Sequence, residues 1–136
     1  MAIFYHLRLM SLAVLMLVSQ QDFANAAVRV YNMQATNLAA SNMFGSKPDP
    51  YVKVWCGSSY GGMTDFQQST RNPVWVAEFN FPNCQAYDNL KLELWDKDRT
   101  SDDDLLGTCT TSVQRGSNTE HCSLKKGTLS YSYTTR

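Results

Sequence analysis

The chain has 136 residues, with 12 basic and 12 acidic side chains, so its formal net charge is zero. Hydrophobic residues make up 43% of the chain and aromatic residues 12%, which is enough for one globular domain with a core. The neutral balance argues against a nucleic-acid partner held by bulk charge, and also against a polybasic membrane anchor.

The first 26 residues have the pattern of a secretory signal peptide. An apolar run at residues 9–18 follows Arg8 and is too short to cross a bilayer as a helix, which takes roughly 20 residues. Ala24 and Ala26 are the small residues that a signal peptidase reads, so we expect cleavage after Ala26. A buried core helix is the alternative, but it leaves the Ala-x-Ala site unexplained. Residues 27–136 are then expected to form one stand-alone secreted domain.

All the cysteines lie after this segment, at Cys56, Cys84, Cys109 and Cys122. An even number of cysteines in a small secreted domain indicates two disulfides, and four cysteines allow three pairings. No pair has the close C-x-x-C spacing of a zinc site. Each bridge is expected to stabilise the fold by about 2–4 kcal/mol.

Residues 27–136 contain short runs in which apolar and polar residues alternate in two-residue steps. The clear runs lie at 28–31, 51–55, 74–81, 90–95 and 129–133, and weaker ones at 63–69 and 106–113. Turn residues stand between the runs. Seven or eight such strands predict an antiparallel β-sandwich, with one face of each strand in the core and the other in water.

Some residues in this pattern have specific expected places. The segments Gly57-Ser58-Ser59 and Gly61-Gly62 are predicted to form turns. Trp55, Trp75 and Trp95 all fall within strand runs, and we expect them to lie in the core rather than to form ligand platforms.

Negative charge gathers in residues 95–107. This segment contains five aspartates, namely Asp96, Asp98, Asp102, Asp103 and Asp104. It follows the clearest strand and precedes another, so it is predicted to be a loop at one end of the sandwich. Carboxylates this close repel one another, and a hard divalent cation offsets that repulsion. The alternative is a solvated acidic turn whose charges only keep the loop in water.

Among metals, calcium fits this loop best, because it takes 6–8 oxygen ligands in a flexible arrangement. Magnesium needs a tighter octahedron, and the lack of clustered histidine and cysteine disfavours zinc and copper. A second loop favours the metal interpretation. Asp49 stands just before the strand run at 51–55, and Asn42 lies a few residues earlier. Two loops at the same end of a sandwich can face each other across one cation.

Together these residues resemble the C2 domain, a family of calcium- and lipid-binding β-sandwiches. The matches run in the family's order along almost all of residues 27–136. They are Asp49-Pro50-Tyr51-Val52-Lys53-Val54 for S-D-P-Y-V-K-V, Asn72-Pro73-Val74-Trp75 for N-P-x-W, and Trp95-Asp96-Lys97-Asp98 with Asp104-Leu105-Leu106-Gly107 for W-D-x-D…D-x-x-G. Residues 102–133 are similar in particular to the C-terminal C2 domain of the perforin family.

The resemblance implies an all-β, eight-stranded antiparallel β-sandwich of Greek-key type, with Ca²⁺ held by loops at one end. The implied metal ligands are Asp49, Asp96, Asp98, Asp104 and the backbone carbonyl of Lys97. The first ligand position of the family is normally aspartate, and Asn42 falls nearest to it. An amide oxygen can still coordinate, although one negative charge is lost.

The resemblance also implies a phospholipid membrane as the partner. Met43 and Phe44, at the tip of the first loop, are expected to dip into the bilayer interface, and packing beneath the loop is their alternative. Arg99 and Thr100, at the tip of the third loop, are expected to make shallower contact. Likeness to the perforin family favours the Cys109–Cys122 bridge, which leaves Cys56–Cys84 by subtraction.

The predicted function is therefore a secreted, monomeric module that binds membranes through calcium. Likeness to the perforin family alone suggests a role in immune defence beside a pore-forming or other immune protein. A C2 domain that binds a protein partner without calcium is the main alternative, and Asn42 supports it. No enzyme activity is expected, because only His121 remains after cleavage and no G-x-S-x-G motif is present.

Overall fold

The computed structural model describes residues 27–40 and 46–136. In this part of the chain the regular elements are nine β-strands: β1 (Val28–Thr36), β2 (Pro50–Cys56), β3 (Ser59–Met63), β4 (Val74–Trp75), β5 (Phe79–Phe81), β6 (Asn89–Asp96), β7 (Asp104–Ser112), β8 (Gly116–Ser123) and β9 (Thr128–Thr135). The predicted signal peptide, together with Asn42, Met43 and Phe44, lies outside the described residues. Within those residues, no helix has the length and apolar character needed to cross a bilayer.

The strands form two antiparallel sheets, which confirms the predicted β-sandwich. One sheet has the order β4-β1-β9-β8, with β5 also paired to β1, and the other has the order β3-β2-β6-β7. The central pairs β1–β9 and β2–β6 join strands that are distant in sequence, so the chain passes repeatedly from sheet to sheet. Such connections are typical of Greek-key sandwiches.

The described residues contain nine strands rather than the predicted seven or eight, because the run at 74–81 is divided into β4 and β5 and because no predicted run corresponds to β8. Both short strands pair with β1, but on opposite sides of an irregularity between Tyr31 and Gln34. Asn32 lies in this irregularity with a φ of 51°. The pairing of β1 with β5 ends before it at Val30, and the pairing with β4 begins after it at Met33. Val76, between the two short strands, is 96% exposed.

The core lies between the sheets and follows the predicted alternation. In β6, Leu90, Leu92 and Leu94 are completely buried, while the residues between them face outward. Two disulfides join the elements, and both have the pairing that the resemblance implied. Cys56–Cys84 ties the end of β2 to the segment before β6, and Cys109–Cys122 ties β7 in one sheet to β8 in the other.

Only one of the three tryptophans lies in the core. Trp75 is 4% exposed, whereas Trp55 and Trp95 are half-buried on the outer face of the β2–β6 pair. A lysine covers each of the outer rings: Lys91 Nζ lies 4.4 Å from the centroid of Trp55, and Lys53 Nζ lies 4.6 Å from that of Trp95. The prediction fails for Trp55 and Trp95 because successive side chains in a strand point to opposite faces of the sheet. The buried residues of β2 and β6 occupy the core face, so the two tryptophans between them lie on the outer face, where a lysine can cover the ring.

The predicted turn at Gly61-Gly62 is also wrong, because both residues belong to β3. A Cβ atom at Gly61 would come within 2.3 Å of the Phe81 ring. Gly61 is therefore a site of close packing between β3 and β5, which belong to different sheets. The turn predicted at residues 57–59 is present at Gly57 and Ser58, but Ser59 is already the first residue of β3.

Candidate metal centre

The strand register brings carboxylates together at one end of the sandwich. Asp96 ends β6 and is paired with Asp104, the first residue of β7, so both lie at the base of the loop 97–103. Asp98 lies within this loop. One carboxylate oxygen from each of these three residues lies within 4.8 Å of the others. Three of the four predicted aspartate ligands therefore share one site, which we call the acidic cluster.

Asp49 lies beside the acidic cluster but is not one of its members. Its amide donates a hydrogen bond to Asp96 Oδ1 (2.8 Å), and its carbonyl accepts one from the amide of Lys97 (2.9 Å). Its own carboxylate oxygen Oδ1 accepts a hydrogen bond from the amide of Ser69 (2.6 Å). Asp49 thus orients Asp96 through the main chain and joins the loop 64–73 to the site. Direct ligation by Asp49 stays a prediction.

The acidic cluster opposes its own ionisation. Burial raises the pKa of Asp96, and the negative charges of Asp49 and Asp104 raise it further, against the hydrogen bond from the Asp49 amide. The pKa of Asp98 is also raised, first by loss of hydration and then by its hydrogen bond with Asp104 and by neighbouring charge. A bound cation would relieve this repulsion.

The donor chemistry of the cluster fits calcium. All of its side chains offer carboxylate oxygens, the ligands that hard divalent cations prefer. Two of the carboxylates lie at strand ends and the third lies in a loop, an arrangement that can adjust to the irregular coordination of Ca²⁺. Asp96, Asp98 and Asp104 would hold the ion.

Asp103 differs from its neighbours because both of its carboxylate oxygens are engaged within the protein. The Tyr51 hydroxyl donates to Oδ2 (2.5 Å), and the Asp98 amide donates to Oδ1 (3.0 Å). These bonds, with the nearby positive charge of Lys97, lower the pKa of Asp103. Asp103 therefore braces the loop against β2, a role that the sequence could not distinguish among adjacent aspartates.

Removal of this brace is expected to weaken both the loop and the metal site. Tyr51→Phe deletes the hydroxyl that holds Asp103, and hydrogen bonds to charged groups contribute about 1.5–3 kcal/mol. We expect the free energy of unfolding, measured by denaturant titration, to fall by about 1–2 kcal/mol. Calcium affinity, measured by calorimetry, should fall severalfold. Tyr87→Phe, on the exposed surface, is the matched control. If Tyr51→Phe had the same free energy of unfolding and the same calcium affinity as the wild type, the bracing role of Asp103 would be contradicted.

The remaining predicted site residues have mixed outcomes. Lys97 is exposed, and its backbone amide donates a hydrogen bond to the Asp49 carbonyl. Metal ligation by the Lys97 carbonyl stays a prediction. Arg99 and Thr100 are exposed in the loop at the same end, and their membrane contact also stays a prediction. The roles predicted for residues 42–44 fall outside the described part of the chain.

Comparison with known proteins identifies the class to which this geometry belongs. The profile of the C2 domain family matches residues 26–128, so the chain belongs to the C2 domain family. Within the family it is related to perforin. Human perforin-1 is 30% identical over 127 residues, which cover 88% of this chain and 22% of perforin-1. The chain thus corresponds to a small part of that protein.

Solved structures agree with this assignment. A structure of a C2 domain aligns with a TM-score of 0.74 and 38% identity, and it covers 81% of this chain and 97% of that chain. The C2A and C2B domains of extended synaptotagmin 2, calcium bound, align with a TM-score of 0.66 and 22% identity over 81% of this chain and 45% of that chain. The second comparison shows the fold alone.

Proposed function

We propose that the protein is a secreted module that attaches to phospholipid membranes when calcium is bound. The observation that carries this proposal is the acidic cluster, where three carboxylates with mutually unfavourable charge meet at one exposed end of the sandwich. Membership of the C2 family, whose domains commonly bind Ca²⁺, supports the choice of metal.

The mechanism follows from the charge at this end of the molecule. In the metal-free protein, the carboxylates repel lipid phosphates as they repel one another. Bound calcium would neutralise this charge and offer open coordination positions to phosphate oxygens. Asp49 holds the segment 64–73 beside the cluster through the Ser69 amide, and Asp103 holds the loop 97–103 through the Asp98 amide. These bonds reduce the ordering that binding would require of those two segments.

Two features support secretion. The predicted signal peptide would direct export, and the two disulfides are of a kind that persists in oxidising compartments. Calcium-binding modules outside cells have dissociation constants of about 10⁻⁴–10⁻³ M, and we expect a value in this range. Action beside a pore-forming or other immune protein is a further proposal, supported only by the likeness to perforin-1.

The direct test is co-sedimentation with phospholipid vesicles. We expect the protein to pellet with vesicles in calcium and to stay in the supernatant with chelator or with magnesium, because calcium accepts irregular oxygen coordination whereas magnesium needs a near-ideal octahedron. A vesicle-free tube in calcium controls for precipitation. Equal binding in calcium and chelator would remove the metal from the mechanism.

A calcium-independent protein-interaction module is the second candidate. Asn42 favours it, because this residue carries no charge where the family normally has an aspartate. Calorimetry separates the two proposals without any membrane. Heat of binding and a rise in melting temperature with calcium support the first, and the absence of both supports the second.

A further inference from the structure

We propose that the turn at residues 124–127, together with Leu105, forms a second membrane contact that selects anionic phospholipids. Lys125, Lys126 and Leu105 are here called the lysine–leucine surface. This inference rests on the proposed membrane function and adds the class of lipid. It assigns a role to residues outside the acidic cluster and outside the loop tips named from the sequence.

The lysine–leucine surface lies at the same end of the sandwich as the acidic cluster. Leu105 directly follows Asp104 in β7 and is 48% exposed. With Ala39, Leu106 and the two lysines, it lines a surface depression of about 220 Å³. A membrane that meets the acidic cluster would therefore also meet this depression.

Two close approaches fix the turn in place. A Cβ atom at Gly107 would come within 2.6 Å of Leu124 Cδ2, so the missing side chain lets Leu124 pack onto β7. Gly127 has a φ of 100°, and a Cβ there would lie 2.5 Å from the carbonyl oxygen of Thr36. The Leu124 amide also donates to the Gly127 carbonyl (2.9 Å). The lysines thus extend from a turn that is held against both sheets.

Charge complementarity favours lipid phosphates as the occupant. Both lysines are exposed, and neither forms an ion pair among the described residues. Other basic residues lie in the segments at this end, at Lys47, Arg71, Lys97 and Arg99. Bound metal would offset the central carboxylates and leave these cations to attract lipid phosphates.

The apolar component favours a bilayer over other anionic partners. Leu105 is exposed, lines the same depression as the lysines and follows Asp104 in β7, so it can enter the boundary between headgroups and acyl chains. A second copy of the chain is disfavoured, because a symmetric contact would place Lys125 and Lys126 against the same lysines of its partner. The occupant we propose is therefore the surface of an anionic bilayer.

The test compares two charge-matched variants on two kinds of vesicle. Lys125→Gln with Lys126→Gln removes the lysines of this surface. Arg115→Gln with Arg136→Gln removes two exposed cations outside this end, one of them in the β7–β8 turn. Each protein is incubated with phosphatidylcholine vesicles, with and without added phosphatidylserine, in calcium and in chelator. Melting curves confirm that the variants are folded.

In calcium, we expect the partition coefficient of the lysine variant onto phosphatidylserine vesicles to be about 30-fold lower than that of the wild type. The reason is that each lysine near an anionic surface contributes about 1 kcal/mol. Its partition onto pure phosphatidylcholine and that of the arginine control should stay at wild-type values. The difference between wild type and lysine variant should shrink in high salt. Leu105→Ser should lower partition onto both kinds of vesicle by about tenfold.

The outcomes separate this inference from the proposed function. If the lysine variant keeps the full calcium-dependent binding of the wild type, the inference is overturned and the proposed function is unaffected. Lysine-dependent binding that is equal in calcium and chelator supports the inference and overturns the calcium mechanism. A wild-type protein that binds no vesicles overturns both. A dimer in sedimentation equilibrium that the lysine variant lacks would assign the surface to a second copy and also overturn the inference.

Discussion

Replacement of Asp96 and Asp98 by asparagine should abolish the response of the protein to calcium. At about 100 times the dissociation constant, bound calcium should stabilise the wild type by about 2.7 kcal/mol. The variant should show no shift in melting temperature and no calcium-dependent vesicle binding, because two of the three clustered carboxylates are gone. Asparagine tests the charge more specifically than alanine does, because its side-chain oxygen at position 96 can still accept the hydrogen bond from the Asp49 amide.

The same variant should be more stable than the wild type without metal. The pKa values of Asp96 and Asp98 are raised in the folded protein, so their ionisation destabilises the fold at neutral pH. The metal-free wild type should gain stability as the pH falls through these raised values, and the variant should lack this gain. Thermal melts in chelator across the acidic range measure the difference.

A charge-matched control completes this test. Asp65→Asn with Asp102→Asn removes two exposed carboxylates, one from the segment 64–73 and one from the loop 97–103, and leaves the acidic cluster intact. This control should respond to calcium as the wild type does. A full calcium response in the Asp96/Asp98 variant would place the metal elsewhere, and a lost response in the control would show that only the net charge matters.

The largest loss of stability is expected from removal of the Cys56–Cys84 bridge. The bridge closes a loop with a sequence separation of 28, for which the chain-entropy relation gives about 3–4 kcal/mol. Both residues are buried, so alanine is the replacement that leaves no unpaired hydroxyl in the core. Cys56→Ala with Cys84→Ala should lower the melting temperature by more than about 10 °C.

Calcium affinity should survive this change if the variant is measured well below its melting temperature. Cys56 ends β2, and Asp49 precedes the start of the same strand, so about 20 Å of extended chain separates the bridge from the site. Ser58→Ala with Gln85→Ala, on the surface beside the bridge, is the control and should melt like the wild type. A reductant breaks every bridge that is present, so it should lower the stability of both proteins and reduce the difference between the control and the variant. Equal stability of variant and wild type would contradict the entropic role of the bridge.

The strands that could be predicted are those with one apolar face. β6 and β2 alternate apolar and polar residues clearly because they form the centre of their sheet. β8 was missed, because its sequence Gly-Ser-Asn-Thr-Glu-His-Cys-Ser has almost no apolar residues. As an edge strand it is held by its ladder with β9 and by one disulfide, and neither is visible as hydrophobic periodicity.

The acidic cluster could be predicted in part. A run of aspartates between two strands indicated a site, and the family's motif singled out Asp96, Asp98 and Asp104. The bracing role of Asp103 depends on the Tyr51 hydroxyl, which approaches it only after β2 and the third loop have packed together. Contacts of this kind depend on three-dimensional register, which a local pattern of charges does not contain.

The Cys109–Cys122 bridge has a consequence for how the sandwich can come apart. β7 and β8 are the edge strands of different sheets, and the bridge holds these two edges together along one side of the molecule. We therefore expect opening under heat or force to start on the other side, where β3, β4 and β5 make few pairings. Amide hydrogens of β4 and β5 should then exchange with deuterium before those of β9, and the side with the Cys109–Cys122 bridge should act as the hinge.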